Sequence, residues 1–136
     1  MNGQDIIIKY KLSMSRKNDI LEHFGFLASK KYQTRVWLKG EGPEVDDYNE
    51  ALLTYYSDIP KGNIEEIDLK KHNDLKENFN DEELGVIYHF HEILNKFIDN
   101  FGWDLTHEEL LKYKEWIDVQ NEAKKVCEYF RVKVAE

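Results

Sequence analysis

Thr34-Arg35-Val36-Trp37-Leu38, TRVWL, is the stretch whose reading decides the fold. Its β-branched and aromatic residues predict a short strand, and Gly40-Glu41-Gly42-Pro43 directly after it supplies a stop. Upstream, Ile6, Ile8, Tyr10 and Leu12 alternate with Ile7, Lys9 and Lys11, the period of two that marks a strand. Between the two, Ser15 to Tyr32 (SRKNDILEHFGFLASKKY) carries Ile20, Leu21, Phe24, Leu27 and Ala28 at helical spacing. Gly25 costs that helix about 1 kcal/mol relative to alanine, so it needs tertiary support. If both strands lie adjacent in one sheet, strand, helix and strand form a right-handed parallel crossover; a longer hairpin-like arrangement is the alternative.

Downstream, helices dominate. After Pro43, Glu44 to Ile59 (EVDDYNEALLTYYSDI) sets Val45, Tyr48, Leu52, Leu53, Tyr56 and Ile59 on one face, and Pro60 and Gly62 stop it. Ile64, Ile67 and Leu69 read as a short edge strand or a loop. Asn80-Asp81-Glu82-Glu83 opens a helix with a side-chain cap and early acids, and Gly102 closes it after Phe101. Thr106-His107-Glu108-Glu109 has the spacing of a capping box, and Tyr113, Trp116, Gln120, Ala123, Cys127 and Phe130 follow at steps of three and four. The short connection from Gly102 to Leu105 makes these an antiparallel hairpin, with Phe97, Phe101, Trp103, Trp116 and Phe130 as core candidates. Val132 and Val134 suit a last strand. The expectation is one α+β domain spanning residues 1–136. It is mostly helical, with a C-terminal antiparallel helix hairpin packed with a small sheet of N-terminal, and possibly C-terminal, strands.

Length and composition agree with a self-sufficient core: 136 residues, 41% hydrophobic and 13% aromatic, suffice without staples. The formal net charge of -8 runs opposite to what phosphate neutralisation requires, so a generalised nucleic-acid binder is not expected. One cysteine, Cys127, excludes an internal disulfide framework. No signal-like N-terminus and no apolar run of about 18 residues occurs, so the expected place is the cytoplasm, away from membranes.

His89-Phe90-His91-Glu92 invites a metal reading, and helical geometry opposes it. At about 100° per residue the two imidazoles point roughly 200° apart, whereas a helical zinc pair needs four-residue spacing. His91 falls on the core side and His89 on the water side. No nucleophile elbow, phosphate loop or H-E-x-x-H occurs. Hence no catalytic residue, metal ligand or cofactor is assigned. The alternatives are a small metal-dependent hydrolase assembled from scattered His and carboxylates, and a structural or regulatory subunit oligomerising through Trp37 or the C-terminal seam.

The least even stretch runs from Gly40 to Ile59. It holds Glu41, Glu44, Asp46, Asp47, Glu50 and Asp58, with no Lys or Arg between Lys39 and Lys61. Carboxylates steer and orient a basic partner, and tyrosine supplies contact area with little rotamer entropy. Tyr55, about 100° from Tyr56 on a helix, is expected to project outward as the anchor. The candidate partner-binding set is Glu44, Asp46, Asp47, Glu50, Tyr55 and Asp58.

An acidic cluster beside Tyr-Tyr, then Pro and Gly, as in TYYSDIPKG (Thr54 to Gly62), resembles the inhibitory region of colicin-type nuclease immunity proteins. In that family proline follows the second tyrosine directly, whereas here Ser57, Asp58 and Ile59 intervene. The wider class of polymorphic-toxin immunity proteins shares the profile of small, acidic, cytoplasmic bacterial domains. The resemblance implies a non-catalytic inhibitor that neutralises a basic, nuclease-like toxin domain by direct binding.

Overall fold

A computed structural model describes residues 16–60 and 66–136. Among them there is no strand and no sheet: the fold is all-α, and the α+β expectation is overturned. Helix α1 spans 16–27. A short α-helical turn, Lys30–Tyr32, runs on into a π-helical turn, Gln33–Leu38, together called α2. Then come α3 (Tyr48–Asp58), α4 (Glu66–Asn78), α5 (Asp81–Phe101), α6 (His107–Lys112) and α7 (Lys114–Phe130). The alternating Ile6 to Leu12 segment lies outside the described residues.

TRVWL is helical because of what it buries. Gln33, Val36 and Trp37 are all buried, the spacing of three and four that a helix offers and a strand does not, while Leu38 is exposed. Ser29 caps the turn by accepting the Tyr32 N–H at 2.9 Å. The Gln33 amide is satisfied at both ends. Its Nε2 donates to the carbonyls of Phe26 and Leu27, each at 3.0 Å, and its Oε1 accepts from Trp116 Nε1 at 2.9 Å and Gln120 Nε2 at 2.8 Å. One side chain thus ties the end of α1 to the middle of α7. β-propensity is a weak preference, and this buried clasp outweighs it. Trp37 is buried too, which removes it as an oligomerisation surface.

The hairpin elements have the bounds that capping chemistry sets. Asn80 and Glu83 form a reciprocal box: Glu83 N–H to Asn80 Oδ1 at 2.8 Å, and Asn80 N–H to Glu83 Oε1 at 2.9 Å. Burial pushes the Glu83 carboxyl up, but Lys17 at 2.8 Å and the Asn80 amide outweigh it and hold it below the usual range. Helix α7 packs antiparallel to α5, as contacts of Tyr129 with Glu82, His89 with Glu122 and Phe97 with Trp116 show. The expected single helix from Thr106 is broken at Tyr113, whose extended backbone ends α6 and starts α7. Trp116 and Phe97 are core residues, while Phe101, Trp103 and Phe130 pack against the core half-buried.

Residues 132–136 have no regular secondary structure and pair with no sheet. A Schellman motif ends α7, Val132 N–H to Cys127 O at 2.8 Å and Arg131 N–H to Glu128 O at 3.3 Å, with Arg131 in the left-handed region at φ 57°. That turn sends the chain across α1. There a Cβ on residue 25 would sit 2.7 Å from the Lys133 carbonyl, so only glycine admits the crossing. This is the support that Gly25 requires. Likewise Ile67 and Leu69 belong to α4, not to an edge strand.

Candidate functional site

The acidic segment is built from the π turn outward. Arg35 pairs with Glu44 at 2.9 Å and donates to Glu41 O at 3.1 Å, and the loop turns through Gly42 at φ 98°, where any other residue would be strained and its Cβ would push the guanidinium aside. Val45 then stands 97% exposed. Asp46 turns back, its Oδ2 accepting from the Tyr32 hydroxyl at 3.0 Å and from Trp37 Nε1 at 2.9 Å. Burial raises the Tyr32 phenol well above its ordinary range, and the Asp46 charge adds to that. Asp47 is the N-cap of α3, accepting the Glu50 N–H at 2.8 Å, and both acids suit the positive end of that helix.

The six candidate residues therefore do not form one face. Glu44, Asp46 and Glu50 line a groove of about 330 Å³ between α1 and α3, together with Asp19, Glu22 and His23 of α1. Asp47 caps its helix. Asp58 sits at the far end of α3, where the helix dipole disfavours a carboxylate, and is held by Arg16 at 2.9 Å and His23 at 2.6 Å. Tyr55 is 0% exposed, packs edge-on against Phe24 and Phe90, and bonds His91 Nδ1 at 3.0 Å. The expected anchor is a core residue. Angular arithmetic shows why: Tyr48, Leu52, Tyr55 and Ile59 fall within about 60° of arc, with Tyr56 at its edge and Leu53 well outside. Tyr56 is half-buried and Leu53 is 53% exposed.

Among the described residues the groove is lined by five carboxylates and by no lysine or arginine, Arg35 meeting Glu44 from outside the lining. Phe26 and Tyr32, ring centroids 4.8 Å apart, supply its apolar wall. Asp19 and Glu22 were not singled out in the sequence because Arg16 and Lys17 stand beside them. Their i,i+3 spacing opposite the buried face of α1 was the available signal.

Burial pushes the Asp58 carboxyl up, but the bonds and charges of His23 and Arg16 outweigh it and leave it below its ordinary range. Its contribution is therefore present above the unfolded carboxylate pKa, about 4, and is lost as pH falls through the lower folded value. Asp58→Asn is expected to cost about 1–2 kcal/mol at pH 7. Urea midpoints of variant and wild type should converge as pH falls from 5 to about 2.5; a gap that persists unchanged would contradict the assignment.

Elsewhere, burial pushes the Cys127 thiol up to about 11, which suits a packed side chain rather than a nucleophile. His91 is buried and His89 exposed, as their spacing predicts. Among the described residues, no three His, Cys, Asp or Glu side chains gather closely enough to hold a metal ion, and no helix is long and apolar enough to cross a membrane. Comparison with family models, curated proteins and solved structures finds no match to this chain.

Proposed function

We propose that this chain is a non-catalytic acidic binding protein, an immunity-type inhibitor that neutralises a basic, nuclease-like toxin domain in the cytoplasm by direct binding. The observation that carries the reading is the α1–α3 groove, where Asp19, Glu22, Glu44, Asp46 and Glu50 converge and where no lysine or arginine stands among the described lining residues. A nuclease must present cations to its phosphate substrate. A surface that competes for those cations inhibits without chemistry. Asp46 is fixed by two neutral donors through one oxygen, an orientation set before any partner arrives. Asp19, Glu22 and Glu50 are exposed and free to steer.

The docking element is thus the α1–α3 groove. Tyr55 has no part in it, and Asp58 is internally paired. The test is binding, by calorimetry, to a panel of purified basic nuclease domains from polymorphic toxins. At least one domain is expected to bind, and Asp19→Lys combined with Glu50→Lys should weaken it about a hundredfold with a steep salt dependence. If no domain in the panel binds, or the double reversal leaves binding unchanged, the reading is wrong.

A further inference from the structure

Arg35 stands between three segments. Its guanidinium lies 5.7 Å from the Tyr32 ring centroid, donates to Glu41 O, and meets Glu44 at 2.9 Å through Nη2. The same Nη2 donates to Glu136 O at 2.7 Å. Two glycines shape this assembly. Gly42 lets the acidic loop close on the guanidinium, because a Cβ there would lie 2.1 Å from Nη1, and Gly25 lets residues 132–136 lie against α1. The 132–136 segment is further held by the Ala135 N–H to Gly25 O at 3.1 Å and by the Ser29 hydroxyl on Ala135 O.

We propose that Arg35 is an internal counter-cation that closes the acidic groove at Glu44 and is held there by the 132–136 segment, so that cation binding in the groove and release of that segment are coupled. The proposal rests on the reading of the groove as a docking site for a basic partner. One guanidinium serves both acceptors, Nη2 donating to Glu136 O at 2.7 Å and Nη1 to Glu44 Oε1 at 3.5 Å, so each contact fixes the orientation that the other needs. A partner's lysine or arginine that takes Glu44 removes one bond and places a like charge beside Arg35. The hold on Glu136 O then weakens. Linkage makes the effect reciprocal: a chain whose segment has left α1 presents a freer Glu44 to the cation. A second cleft of about 560 Å³, between α1 and this segment, shares Asp19, Glu22 and Phe26 with the groove, so the segment's departure alters the same surface that the partner meets.

Decalysine is the probe, titrated at low salt while the exchange of the Ala135 amide is followed. Arg35→Gln is expected to tighten decalysine about tenfold, whereas Lys39→Gln, which changes net charge equally at an exposed site, tightens it less than about twofold. Gly25→Ala, which is charge-neutral and displaces the segment, tightens it about threefold to fivefold. Exchange at Ala135 should rise about fivefold in Arg35→Gln and in wild type saturated with decalysine. Binding with equal responses to Arg35→Gln and Lys39→Gln, or with unchanged Ala135 exchange, overturns the coupling and leaves the docking reading standing. Failure of decalysine to bind any form removes the docking reading and the coupling together, even where Arg35→Gln still speeds exchange.

Discussion

Gln33→Met destabilises the fold by about 3–5 kcal/mol, although it keeps the side-chain length and buries more carbon. The reason is the accounting of partners. Gln33 is fully buried and makes four hydrogen bonds, to the carbonyls of Phe26 and Leu27 and from the side chains of Trp116 and Gln120. Methionine satisfies none of them. The Leu27 carbonyl, an indole N–H and an amide N–H would be left in a dry interior, and the Phe26 carbonyl would keep the Ser29 N–H at 3.3 Å; each unmet group costs about 1–3 kcal/mol less whatever relaxation recovers. The measurement is urea unfolding with an unchanged slope. Adding Gln120→Leu should cost less than the separate losses combined, because it removes one of the orphaned donors. A loss below about 1 kcal/mol for Gln33→Met would mean that water reaches the cluster, and the clasp would then not explain why TRVWL is helical.

Phe90→Ala is expected to cost a similar amount, about 3–5 kcal/mol, through a different mechanism. Phe90 is 0% exposed and meets Phe24 and Tyr55 edge-on, at centroid distances of 5.2 and 5.9 Å, so it joins α5 to α1 and α3. The cavity left by alanine cannot collapse easily. Tyr55 is held by its hydrogen bond to His91, and Phe24 by its own contact with Tyr55. Leu53→Ala, on the exposed side of α3, should change stability by less than about 0.5 kcal/mol. Equal losses at Phe90 and Leu53 in urea unfolding would refute the assignment of the two faces. Phe90 also answers the question posed by its neighbours: His89-Phe90-His91 is a core aromatic flanked by one exposed and one buried imidazole.

The proposed function depends on which acids converge, and only part of that was readable along the chain. Glu44, Asp46 and Glu50 were legible as a run without cations. The pairing of Glu44 with Arg35, and of Asp58 with Arg16 and His23, was not, because those cations approach from other elements. Asp19 and Glu22 join the groove from α1 across about 30 residues of sequence, a distance over which local charge counting has no force. Tyr55 was legible in principle, since helical angles alone place it on the Tyr48–Leu52–Ile59 stripe.

By itself, the amino-acid order determined the features that local chemistry controls. Asn80 and Glu83 start α5 and Gly102 ends it, Thr106 caps α6, and the spacing of His89 and His91 sends them to opposite environments. These follow from bonds made within a few residues. Tertiary structure alone decided the rest. Thr34 to Leu38 became a π-helical turn because Gln33 found four partners on α1 and α7. Residues 132–136 formed no strand because Arg131 turns them onto Gly25, where a helix, not a strand, receives them. In both places a preference of about 1 kcal/mol or less for a strand met partners reached only through the fold, and burial with satisfied hydrogen bonds outweighed it.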